Sequence, residues 1–183
     1  MGSPARIEVD GIEDVRDALA RLPLQTARAV KRAVVIAADY AKGRIAKEMA
    51  DRTGIPLRAF REYRVASRGL GGPSRLVWGG YNPIKATYVA ARGELERQLP
   101  PNQYDWGAKA GKYLFEGAIA LRMKSGHVGI FKREGHGKTA RLVEQTVTIP
   151  EMRTVAEIVR DEATSRLATA FAHELRYELS RGE

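Results

Sequence analysis

There is no cysteine in the 183-residue sequence. That excludes a disulfide framework and any zinc site built on thiolates. No apolar run approaches the roughly 18 residues of a membrane-spanning helix. The opening MGSPARIEVDG lacks the apolar centre of a signal peptide, so synthesis as a cytosolic protein is expected. Disorder is not expected: 44% apolar and 29% charged residues is an ordinary globular balance. The length suits one domain with a real core and is short for two, so a single domain over residues 1–183 is expected.

What the chain has in excess is positive charge, +9 in all. A polyanionic partner such as nucleic acid would explain it, and so would an arginine-rich genome. Position is more informative than the total. Seven basic residues lie between Arg28 and Arg52 against Asp39, Glu48 and Asp51. Six lie between Arg122 and Arg141 against Glu134 alone, which makes the second cluster the sharper.

RIEVDGIEDVRDALARL reads as a short alternating stretch and then a helix with Ile12, Val15, Leu19 and Leu22 on one face. Pro23 suits the first turn of a second helix running to about Arg52. Its apolar stripe is Ala27, Val30, Val34, Ala37, Ala38, Ala41, Ile45 and Met49, small enough for close approach of another element. Tyr63–Ser67 and Arg75–Tyr81 read as hairpin arms around a glycine-rich turn. Residues 93–111, GELERQLPPNQYDWGAKAG, read as a polar loop elaboration that carries Tyr104 and Trp106. Phe115, Ile119, Leu121 and Met123 then alternate with Ala118, Ala120, Arg122 and Lys124. Ser125-Gly126 supplies a turn, Val128, Ile130 and Phe131 return, and Val143, Val147 and Ile149 are expected inward on a third segment.

The last element, from about Glu151 to Ser180, reads as a helix. Its apolar residues (Val155, Val159, Ala163, Leu167, Phe171, Leu175 and Leu179) recur every fourth position and drift around a 3.6-residue helix. Such a helix either curves or buries one end in its own chain and the other in a neighbour. The order of elements gives α+β: a mostly antiparallel sheet with long N- and C-terminal helices packed on one face.

MKSGHVGIFKREGHGKT, residues 123–139, holds the candidate chemistry. It ends in Gly-Lys-Thr, but a phosphate-binding loop needs glycine five places before Gly137, where Lys132 stands. It also leads into a strand rather than a helix. His127, His136 and an acid such as Glu134 or Glu144 could be imagined around a metal, but the spacing is not one that metals use. Ser125 has no nucleophile-elbow context, and His173 sits inside a helix. No catalytic residue, cofactor or metal site is expected.

GAIALRMKSGHVGIFKREG, followed by LVEQTVTIP and a long helix, resembles the prophage minor tail protein Z family. These are tail-completion proteins of bacteriophages with long non-contractile tails. The resemblance maps onto Gly117-Ala118-Ile119, Met123 through Arg133, and Leu142-Val143-Glu144 through Ile149-Pro150. The basic second helix and WGGYNPI are also similar, so it covers nearly the whole chain. Ile119 stands where an aromatic is usual and Glu116 where proline often precedes Gly-Ala.

The resemblance implies a non-enzymatic virion protein at the head-proximal end of the tail, made in the host cytoplasm. It would complete the tail, join it to a filled head and hold the DNA end. Its partners would be itself, as a ring expected to be six-fold, other tail and neck proteins, and channel DNA without sequence preference. Arg28, Lys31, Arg32, Lys132, Arg133 and Lys138 would then face the channel. Tyr104, Trp106, Phe171 and Leu175 would lie at the oligomer interface. A sequence-independent nucleic-acid-binding module is the alternative favoured by charge. A small nuclease is favoured only by His127, His136 and Glu134.

Overall fold

A computed structural model describes residues 24–102, 104–135, 140–149 and 153–180, together with the backbone of residues 5–6. The expected helix with Ile12, Val15, Leu19 and Leu22 lies outside the described residues. The elements are β1 (Ala5–Arg6), α1 (Leu24–Thr53), α2 (Leu57–Tyr63), β2 (Val65–Gly71), β3 (Ser74–Gly79), β4 (Ile84–Lys85) and α3 (Ala86–Val89). A 3-10 turn (Glu96–Gln98) follows, then β5 (Gly107–Ala110), β6 (Tyr113–Glu116), β7 (Ala118–Arg122), β8 (Val128–Glu134), β9 (Arg141–Glu144), β10 (Thr146–Val147) and α4 (Arg153–Ser180).

The fold is α+β, and every strand pairing among the described residues is antiparallel. The single sheet expected from sequence is instead four small ones, ordered β1-β3-β2, β10-β4, β5-β6 and β7-β8-β9. Strands of two to seven residues, separated by glycine turns, are too short to be shared across one continuous sheet. The chain divides into two compact units. The first comprises residues 1–52, 60–81 and 151–183; the second comprises 53–59 and 82–150.

In the first unit α1 and α4 run antiparallel. Arg52 meets Thr154, Arg44 meets Glu162 and Arg32 meets Glu174, so the partner number rises along α4 as it falls along α1. The buried row of α1 is Ala29, Ala33, Ala37, Ala41, Ile45 and Met49, with Val30, Ala38 and Ala46 beside it. Ala27, placed in the stripe by sequence, is exposed; the row begins one helical offset later, at Ala29. A four-residue step drifts by about 40° per step around the helix. The row of α1 stays buried because the helix is covered on two sides. Its Val34, Ala37 and Ala41 share a cavity with Val159 and Leu167 of α4, and Ile45 lies against Gly79 of β3. On α4 the same step walks out: Val159 is 0% exposed and Leu179 55%.

The middle of this helix pair is fixed by one bidentate contact. Arg44 donates from Nε and Nη2 to Glu162 at 2.7 and 3.0 Å, and Tyr40 Oη donates to the same carboxylate at 3.0 Å. The hydrogen bonds from Arg44 and then Tyr40 lower the Glu162 pKa, and the bond to Glu162 raises that of Arg44.

The second unit is built from small apolar residues. In β7 the buried positions are Ala118 and Ala120, while Ile119 and Leu121 are half-buried and Met123 is exposed. The alternation seen in the sequence therefore resolves with the alanines on the buried face. Ala120 pairs with fully buried Ile130, so the bulk on that face comes from β8 and leaves room only for alanine on β7. Val147 and Ile149 are buried as expected, and Val143 is half-buried. Gln145 ties β8 to α3, donating its N–H to Ile130 at 2.8 Å and accepting from Ala86 at 2.9 Å.

The two ends of the 93–111 stretch are held to each other by side chains of Glu94 and Gln98. Gln98 donates to the Lys109 carbonyl and accepts from the Lys109 N–H, both at 2.8 Å, and donates to the Glu94 carbonyl at 3.1 Å. The Glu94 carboxylate accepts from Ala91 and Gly111. Leu95 and Gln98 are buried, so a polar sequence conceals a fixed base.

Two outcomes follow from these contacts. Since Glu162 is lowered from 4.5, its contribution is complete above that value and lost as pH falls through the lower folded one. Glu162→Gln should melt below wild type at neutral pH and show a weaker fall in melting temperature as the pH is taken below 4.5. Gln98→Ala strands three backbone groups and should lower the opening free energy of the loop by about 1–3 kcal/mol. Hydrogen exchange should show this as faster exchange at Lys109, with the α1–α4 amides unchanged.

Candidate interaction surfaces

The stretch Met123–Arg133 is a strand–turn–strand, as its alternation and Ser125-Gly126 predict. Arg122 pairs with Val128, and the Met123 N–H donates to the His127 carbonyl at 2.8 Å. Gly126 takes φ +85°, a region closed to most side chains. Gly129 has a different reason. A Cβ there would lie 3.1 Å from both Glu144 Oε1 and His127 Nε2 and 3.0 Å from the Phe131 ring. Glycine leaves the space in which His127 reaches Glu144, which explains the spacing Gly-His-x-Gly.

Glu144 is the hub of that space. Its Oε1 lies 2.8 Å from His127 Nε2 and its Oε2 lies 2.7 Å from Lys85 Nζ. Burial pushes the carboxyl up, but hydrogen bonds from Lys85 and His127 outweigh it and leave the pKa lowered. The bond to Glu144 raises the Lys85 pKa in turn. Thr87 Oγ1 donates to the Val128 carbonyl at 3.1 Å, tying α3 to the same turn. A carboxylate engaged on both oxygens and held acidic is a weak base near neutral pH. The cluster fastens β4, the hairpin turn and β9 together. Lys85 was not singled out in the sequence because nothing local marks it; it stands 42 residues before His127.

Among the described residues, no three histidine or acidic side chains come together to hold a metal ion. His136 lies outside the described residues. His173 is largely exposed, 3.4 Å from Glu174. No described helix is long and apolar enough to cross a membrane.

The basic residues expected at a DNA channel divide into two sets. Arg28, Lys31 and Arg32 share one face of α1 and rim a shallow groove floored by Val35 and Ile36. Arg32 does not present a free charge there. It is 2.6 Å from Glu178, 3.5 Å from Glu174, and lies over the Tyr177 ring at 5.5 Å. The Glu178 contact is close but out of line for a hydrogen bond, so charge attraction carries it. Arg28 and Lys31 are exposed without an ion pair among the described residues. Lys132 and Arg133 are exposed at the end of β8, and as strand neighbours they point to opposite faces of the sheet. Lys138 lies outside the described residues.

Of the expected interface residues, Tyr104 and Trp106 are 45% and 51% exposed and stack on each other at 4.5 Å, nearly parallel. Phe171 and Leu175 are half-buried, whereas Tyr177 and Leu179 on the same helix are exposed. The exposed apolar side chains of α4 are therefore Ile158, Tyr177 and Leu179, on either side of the positions chosen from sequence. No family model matches the chain, and neither a curated protein nor a solved structure matches it.

Glu178 is almost fully buried, so removing its cation leaves a carboxylate unpaired in a poor solvent. Arg32→Ala should cost about 2 kcal/mol of stability, less than a fully buried pair because Arg32 is half exposed. Arg28→Ala and Lys31→Ala should cost under about 0.5 kcal/mol. Urea unfolding of the three variants checks the contrast.

Proposed function

We infer that this chain is a structural protein of a bacteriophage virion, a minor tail or tail-completion subunit that works at the head-proximal end of a long tail. The observation that carries this reading is the surface of α4. Its apolar series is fully buried at Val159 and 55% exposed by Leu179, which leaves Leu179 for a neighbour. The hairpin at Met123–Arg133 supports it from another side. Gly126, His127, Gly129 and Glu144 of the family-like motif serve one local structure, which suits a scaffold role. Arg28, Lys31, Lys132 and Arg133 offer exposed charge for DNA of any sequence. A plain nucleic-acid-binding module draws on the same charge, but it gives no reason for the exposed apolar end of α4.

The subunit would act as a ring, with about six copies, around the DNA path. Negative-stain microscopy of the purified protein tests this directly. Closed rings with a central opening are expected; a protein that stays monomeric at every concentration would contradict it.

A further inference from the structure

We propose that a second copy of this chain inserts the aromatic tip Tyr104-Asp105-Trp106 into the alanine-lined cleft between α1, β3 and α4. The proposal rests on the ring reading above and assigns the contact that would build it.

The cleft is a cavity of about 60 Å³, several times what one water needs. Its walls are Val34, Ala37, Ala41, Val77, Val159 and Leu167. It exists because α1 uses alanine where larger side chains would have filled the space. Such a hollow forfeits dispersion contacts until something apolar enters. Its mouth is basic, formed by Arg75, Arg160 and Thr164. Arg75 has no ion pair among the described residues, and Arg160 has only the exposed Asp161 at 3.6 Å. The fitting ligand is thus an apolar ring beside an acid.

The chain carries that combination at one place. Tyr104 and Trp106 stack on each other in solvent, and exposed Asp105 lies between them. The base beneath is held by the Gln98 bonds to Lys109, so the tip is presented ready-formed and little ordering cost falls on association. Aromatic anchors of this kind dominate interfaces when they enter a pocket. Tip and cleft are different surfaces of one chain, so the contact is head-to-tail. Repeated, it closes into a ring or runs on as a filament. The shallow groove at Arg28 and Lys31 has no comparable fit, since its third cation is already held by Glu174 and Glu178.

The test uses two one-sided variants of the full chain: Trp106→Ala at the tip, and Arg160→Glu with Thr164→Trp at the cleft mouth. Both sets of positions are exposed, and melting curves confirm folding. Light scattering after size exclusion should find an oligomer for wild type and monomers for each variant. Mixing the variants should give a one-to-one dimer that grows no further, because one intact tip and one intact cleft remain. Asp105→Arg should also be monomeric, and regain assembly when combined with Arg160→Glu. Oligomers unchanged in the variants would overturn this contact and leave the ring reading standing. A monomeric wild type would overturn both.

Discussion

The row of alanines along α1 is the constraint on which the first unit depends. Ala29, Ala33, Ala37 and Ala41 let α4 and β3 approach closely, and Ala37 and Ala41 also leave the cleft. Close approach brings Arg44 within bidentate reach of Glu162 and Arg32 within reach of Glu178. The order of these contacts along the two helices fixes the register. Substituting larger residues into the row would fill the cleft and separate the charged partners together.

The second unit solves a related problem with a carboxylate. Short strands cannot share one long ladder, so side chains must connect the pieces. Glu144 does so through Lys85 and His127, and Gln145 does so through its backbone. The glycines of the hairpin serve this arrangement, Gly126 by its turn and Gly129 by the space it leaves. His127 and Glu144, which first suggest a metal site, are thus used up in holding strands together.

Much of this was legible because it is local. Helix α1 from its alanine spacing, the hairpin from Ser125-Gly126 and the outward walk of α4 all follow from period alone. What was not legible depends on distant partners. The inward face of β7 is alanine because its cross-strand partner Ile130 supplies the bulk on that face, which no reading of β7 by itself reveals. Lys85 and Glu144 meet across 59 residues, and Gln98 pairs with Lys109 inside a stretch that reads as loop. The free appearance of Arg32 in the sequence fails for the same reason, because its acids are on the last helix.

Two kinds of surface remain unused by the fold: basic side chains such as Arg28 and Lys31 without an ion pair among the described residues, and apolar side chains that face solvent on α4 and on the 104–106 tip. A subunit beside DNA and between copies of itself would use both. The most direct measurement is electron microscopy of a lysate from the phage in which this gene is deleted. The account predicts DNA-filled heads and separate tails, with joined particles restored by the wild-type protein. Normal joined, infectious particles without the gene would contradict it.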